Sequence, residues 1–144
     1  MKIWFDMDGT IADLYGVNDW LPALRAGDTR PYEVAKGIGC LATIARLLNK
    51  AQRNGHEIGL ISWTSKGGTA EYNKAVAEAK REWLHKHLPS VVWDTIKVVD
   101  YGTNKYIACG GGILFDDEAR NREEWGDGAH EPAQITEVLA MLAR

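Results

Sequence analysis

Short apolar runs and longer amphipathic stripes alternate along this 144-residue chain. Residues 2 to 6 (Lys-Ile-Trp-Phe-Asp) are apolar up to an acid and then a glycine turn. That is the pattern of a strand buried on both faces, delivering Asp6 to its carboxyl end. Three further runs share the pattern: residues 57 to 62 (Glu-Ile-Gly-Leu-Ile-Ser), 96 to 99 (Ile-Lys-Val-Val) and 112 to 116 (Gly-Ile-Leu-Phe-Asp). Each is short, apolar and followed by polar or turn residues.

Helical periodicity fills the intervals. Leu41, Ile44, Ala45, Leu48 and Ala51 fall on one face, and Asn54-Gly55 supplies a stop before the second strand. Tyr72, Ala75, Val76, Ala79 and Trp83 repeat with the same period, in a segment that ends near Pro89. Pro132 is placed to open a last helix whose Ile135, Val138, Leu139 and Leu142 face the core. Strands that alternate with helices pair in parallel through right-handed crossovers, which predicts a three-layer, Rossmann-like α/β domain around a central parallel sheet. Ligands bind such sheets beyond the carboxyl ends of the strands, where Asp6, Ser62 and Asp116 all fall.

One stretch breaks the alternation. Residues 14 to 39 carry Gly16, Pro22, Gly27, Pro31, Gly37 and Gly39, with Trp20, Leu21 and Leu24 as the strong apolar cluster. A long loop directly after the first strand is expected to be a short cap or lid inserted into a single domain spanning 1–144.

Composition narrows the classes. At 45% hydrophobic and 26% charged residues the chain is an ordinary globular protein, long enough for one core and too short for two. A net charge of −3 predicts neither general nucleic-acid binding nor attachment to a membrane surface, and any anionic ligand needs locally placed cations. Cys40 and Cys109 lie outside any CxxC pattern and read as reduced thiols. No apolar run approaches a membrane span and the start of the chain lacks the pattern of a signal peptide, so a cytoplasmic location is expected.

The densest chemistry is Asp6-Met7-Asp8-Gly9-Thr10. Two carboxylates converging past a buried strand repel each other unless a cation or proton intervenes, which points to a divalent metal. Asp-Gly by itself is a common turn, and the rest of the chain decides between the two readings. The pentapeptide resembles the first signature of the haloacid dehalogenase superfamily, Asp-x-Asp-Gly-Thr after an apolar strand. The family's second motif, a Ser or Thr ending the next core strand, is matched by Ser62. Its third, a Lys before the last core strand, is matched by Lys105. Its fourth, an acidic pair after that strand, is matched by Asp116-Asp117. The ordered set spans roughly residues 2 to 120 and is far more specific than any one member.

The resemblance implies a magnesium-dependent phosphohydrolase. Asp6 is then the nucleophile and Asp8 the acid and base. Ser62 and Lys105 bind the phosphoryl group. Asp6, Asp116 and Asp117, with the Asp8 backbone carbonyl, hold Mg2+, and which of the acidic pair ligates directly stays open. Superfamily dehalogenases lack the second Asp and transport ATPases carry Thr there, so Asp8 favours hydrolysis over halide displacement or a long-lived phosphoenzyme. Trp20, Arg25, Arg30, Trp63 and Thr64 are candidates for selecting the substrate. That substrate is expected to be small and phosphorylated, with a nucleotide or nucleic-acid end ahead of a sugar phosphate. A non-catalytic binding protein on the same fold is the contrasting reading, and retention of the whole motif set speaks against it. The four histidines carry no metal pattern: His85 and His87, two apart on a helix, face different directions, and His56 and His130 read as isolated turn residues. Gly110-Gly111-Gly112 precedes a strand instead of following one and reads as a connector.

Overall fold

The computed structural model describes residues 1–144. Five strands form one parallel sheet: β1 (Lys2–Phe5), β4 (Glu57–Trp63), β5 (Thr95–Val99), β6 (Ile113–Phe115) and β7 (Ala129–His130), in the order β5-β4-β1-β6-β7. A separate two-stranded antiparallel ribbon joins β2 (Ala12–Asp13) to β3 (Lys36–Gly37). Between them run α1 (Trp20–Arg25), α2 (Arg30–Val34), α3 (Leu41–Arg53), α4 (Ala70–His87), α5 (Lys105–Cys109), α6 (Ala119–Trp125) and α7 (Ile135–Leu142).

Alternation along β1 builds both layers. Ile3 and Phe5 join a large core with Ile44, Leu48, Ile58, Leu60, Trp83 and Leu139, contributed by α3, β4, α4 and α7. Trp4 points the other way, into a smaller cluster with Ile61, Leu114 and Trp125. The central strand is therefore buried on both faces, as its unbroken apolar run requires. Gly59 lies opposite Trp4 in the pairing of β1 with β4, and a Cβ there would come within 2.6 Å of the indole ring. The apolar run of β4 is interrupted by glycine because the bulkiest residue of β1 occupies that space.

The long elements match the sequence pattern closely. The helix α3 ends at the Asn54 cap and Gly55, which has a φ of +94°. Thr69 caps α4, accepting a hydrogen bond from the Tyr72 amide at 3.1 Å. The differences concern short pieces. The strand expected to end at Ser62 continues through Trp63, held by pairing with Val99. Pro132 opens a single 3-10 turn ahead of α7, closed by a capping box between Glu131 and Gln134. The edge strand β7 and the helices α5 and α6 lie below the length at which periodicity registers.

Residues 14 to 39 are also more structured than a loop. A 3-10 turn (Leu14–Gly16), α1 and α2 fold the segment onto α4, with Leu14 and Tyr32 buried against Val76 and Ala79. Leu14 and Tyr32 anchor it, whereas Leu21 of the expected cluster is 38% exposed. No helix is long and apolar enough to cross a membrane.

Candidate active site

The carboxyl end of β1 brings Asp6 into a group of three carboxylates. Ligand oxygens of Asp6, Asp116 and Asp117 all lie within 4.8 Å of one another. Asp116 follows β6, the strand beside β1, so the two acids reach the same sheet edge by register alone. Beyond Asp6 the chain turns sharply, with the Thr10, Ile11 and Ala12 amides all donating to the Met7 carbonyl. Gly9 sits in this turn with a φ of +81°, and a Cβ there would collide with the Asp117 carboxylate. The Thr10 hydroxyl lies 3.1 Å from Asp6 Oδ2 and 3.4 Å from Asp117 Oδ1.

Lys105, 2% exposed at the start of α5, neutralises part of this charge. Its ammonium donates to Asp6 Oδ1 at 2.9 Å and to Asp116 Oδ2 at 2.7 Å. Burial alone would lower the Lys105 pKa; the two carboxylates outweigh it and hold the lysine firmly protonated. Asp116 is fully buried and also accepts from the Glu118 amide at 2.9 Å and from Asn121 Nδ2 at 3.1 Å. Burial raises its pKa to about 6, with the Asp6 charge adding and Lys105 opposing. Burial likewise raises Asp117 to about 8, followed by its hydrogen bond with Asp6 and the charges of Asp6 and Asp116. Close carboxylates that share too little positive charge take up a proton or a cation.

Asp8 stands apart from that trio. Its carboxylate accepts from Lys80 Nζ at 2.9 Å, and burial, opposed first by Lys80, raises its pKa. The same ammonium donates to Ser62 Oγ and to the Trp63 carbonyl, each at 2.7 Å. Sequence reasoning missed Lys80, because a lone lysine in a helix reads as solvated. Its signal is position: Lys80 lies four residues after Val76 and four before Leu84, both buried, so it belongs to the inward stripe of α4. Asn121 was missed as well, with only its place five residues after Asp116 to mark it.

The carboxylates open into a cleft of about 550 Å³ whose lining includes Asp6, Asp8, Ser62, Thr64, Lys105 and Asn121. Trp20 and Arg25 from the 14–39 segment, with Trp63, also line it. Trp63 packs against Tyr101 at 4.9 Å between ring centroids, and Trp20 meets Tyr15 edge-on at 5.0 Å. Arg30 is exposed at the start of α2 and is not among the lining residues, because α2 turns its Pro31-Tyr32 side toward α4. His87 stacks on Trp83 and His130 packs near Phe115.

The same architecture occurs in solved structures of low sequence identity. A D,D-heptose 1,7-bisphosphate phosphatase from Burkholderia thailandensis superposes with a TM-score of 0.56 at 11% identity, over 97% of this chain and 96% of that one. The chain has a haloacid dehalogenase-type fold. A structural-genomics target from Vibrio cholerae superposes on it with a TM-score of 0.53 at 20% identity, over 99% and 97% of the two chains. No family model matches the chain, and no curated protein sequence matches it. In this haloacid dehalogenase-type fold the four motif positions meet at one sheet edge: Asp6 after β1, Ser62 near the end of β4, Lys105 opening α5, and Asp116-Asp117 after β6.

Proposed function

We propose that the protein is a magnesium-dependent phosphohydrolase that cleaves phosphate monoesters through an aspartyl phosphate on Asp6. The observation that carries this reading is the division of labour between the two acids of the first motif. Asp6 lies in the three-carboxylate group with Lys105 at 2.9 Å, while Asp8, two residues on, is held apart by a different lysine. One acid is thus electrostatically fitted to attack and the other to exchange protons.

The donor set of Asp6, Asp116 and Asp117 consists of hard oxygens and fits Mg2+, which when bound supplies positive charge to the phosphoryl oxygens. The chain's own groups carry the steps. An Asp6 carboxylate oxygen forms a bond to phosphorus as the ester P–O bond breaks, and Asp8 gives its proton to the departing oxygen. Asp8 then takes a proton from the water that attacks the aspartyl phosphate, releasing inorganic phosphate and restoring Asp6. The raised pKa of Asp8 suits a group that must carry a proton in the first half-reaction. Lys105 offsets the charge between nucleophile and substrate, and the Ser62 hydroxyl donates to a phosphoryl oxygen.

The 14–39 segment acts as a small cap, and a nucleotide or nucleic-acid end is the leading substrate class. Trp63, Tyr101 and Trp20 offer aromatic faces at the cleft, and Arg25 a cation beyond the acidic centre. A sugar phosphate is the second reading, favoured by the heptose bisphosphate phosphatase that shares the fold. The proposed setting is the cytoplasm. Turnover of a panel of nucleotides, sugar phosphates and aryl phosphates, with and without Mg2+, tests the proposal. Absence of turnover on every ester despite Mg2+ binding would instead mark a binding protein.

A further inference from the structure

Lys80 carries a second, unassigned element of the site. Its side chain is wholly buried, 0% exposed, and lies between three groups, one from the turn after β1 and two from the end of β4. It donates to Asp8 Oδ2 at 2.9 Å, to Ser62 Oγ at 2.7 Å and to the Trp63 carbonyl at 2.7 Å. An ammonium has three N–H donors, and all three are spent. Lys80 therefore has neither a free donor nor an exposed surface with which to touch a phosphate. Tyr32, from the 14–39 segment, closes the remaining side, with the ammonium 5.1 Å from its ring centroid.

The consequences fall on its partners. A lysine proton occupies a lone pair of Ser62 Oγ, so the serine's own O–H cannot point at Lys80 and is left for another acceptor. One oxygen of Asp8 is tied down by Lys80, while the residue itself lines the cleft. We propose that Lys80 is a positioning residue that, anchored on Ser62 Oγ and the Trp63 carbonyl, presents Asp8 to the leaving-group oxygen from behind, while Lys105 alone meets the charge of the nucleophile. This rests on the phosphohydrolase reading above. An ion pair with no exposure at the lysine is a costly arrangement, and replacing both partners by apolar residues of similar volume often costs no stability. Its use here is geometric: it locks β4, the β1 turn and α4 into one register around the two side chains.

The test compares Lys80→Met with the wild type on p-nitrophenyl phosphate and phenyl phosphate in Mg2+. Phenolate is the poorer leaving group and depends more on proton donation. A misplaced Asp8 should thus lower kcat on phenyl phosphate about tenfold more than on p-nitrophenyl phosphate, with KM moving by less than about twofold. Lys80→Met strands the Asp8 charge, so the pair Asp8→Asn and Asp8→Asn/Lys80→Met is measured alongside it. If Lys80 acts through Asp8, the double variant is as sensitive to the leaving group as Asp8→Asn alone. An equal loss on both esters, a KM rise as the main effect, or a further leaving-group-dependent drop in the double variant overturns the proposal. A wild type that hydrolyses neither ester overturns the phosphohydrolase reading itself; an active wild type with a flat response overturns only the role of Lys80.

Discussion

At the scale of single residues, one lysine pairs with each of the two acids proposed to be catalytic, and the proposed roles separate by substitution. Asp6→Asn should lower kcat/KM by at least roughly four orders of magnitude, because an amide is a far poorer nucleophile. The same change removes the charge that disfavours ionised Asp116 and Asp117, so the melting temperature of the metal-free protein should hold or rise. Activity near wild type would end the covalent mechanism. Asp8 lies outside the three-carboxylate group, so Asp8→Asn should retain Mg2+ affinity better than Asp116→Asn does. Titration calorimetry on the two variants decides this, and equal losses would contradict the division. Gly59 shows that even an apolar run is shaped residue by residue, since the indole of Trp4 leaves no room for a Cβ opposite it.

At the scale of elements, the 14–39 segment is the part proposed to tune the cleft. The turn, two short helices and the β2–β3 ribbon place Trp20 and Arg25 at the lining and leave Arg30 outside it. Arg25→Gln or Trp20→Ala is therefore expected to raise KM several-fold for the preferred substrate while largely preserving hydrolysis of a small aryl phosphate. Arg30→Gln should change neither. Steady-state kinetics on both substrates checks this; a uniform loss for all variants would mean damage to the fold, and no change for any would remove the cap from substrate selection. In the packing layer, Leu48 of α3 is 1% exposed within the main core, so Leu48→Ala should cost about 2–5 kcal/mol in urea unfolding. A cost below that range would mean that α3 closes over the vacated space.

At the scale of the whole molecule, the charge balance of the site couples stability to pH and metal. Burial holds Asp117 at about 8 and Asp116 at about 6, against about 3.9 for an aspartate in the unfolded chain. The folded protein thus binds protons more tightly than the unfolded one. The stability this provides is fully present below the unfolded value and is lost as pH rises through about 6 and then about 8. Lys105 stays charged throughout this window and adds no slope. Without metal, the melting temperature should therefore be higher at pH 5.5 than at pH 8.5. Mg2+ competes with those protons, so its stabilisation, about 2.7 kcal/mol at 100 times Kd, should be larger at pH 8.5. Scanning fluorimetry at the two pH values, with and without Mg2+, settles it; an equal Mg2+ shift at both would show that the carboxylates do not take up protons as described.

What the sequence by itself determined is whatever repeats or recurs locally. The four longer strands and the α3, α4 and α7 stripes are legible because burying a face imposes a period, and the motif acids because a strand end followed by a turn places them at one sheet edge. Short elements such as β7, α5 and the pieces of the 14–39 segment carry too few residues for a period to register, and are held by contacts with distant chain. Only the tertiary structure decided which charges meet. Lys80 lies 72 residues from Asp8 and Lys105 lies 99 from Asp6, and no local pattern says which carboxylate either lysine meets. Arg25 and Arg30, five apart in one segment, end on opposite sides of that decision for the same reason. A side chain's charge is written in the sequence, whereas its desolvation and its partners exist only once remote segments have packed around it.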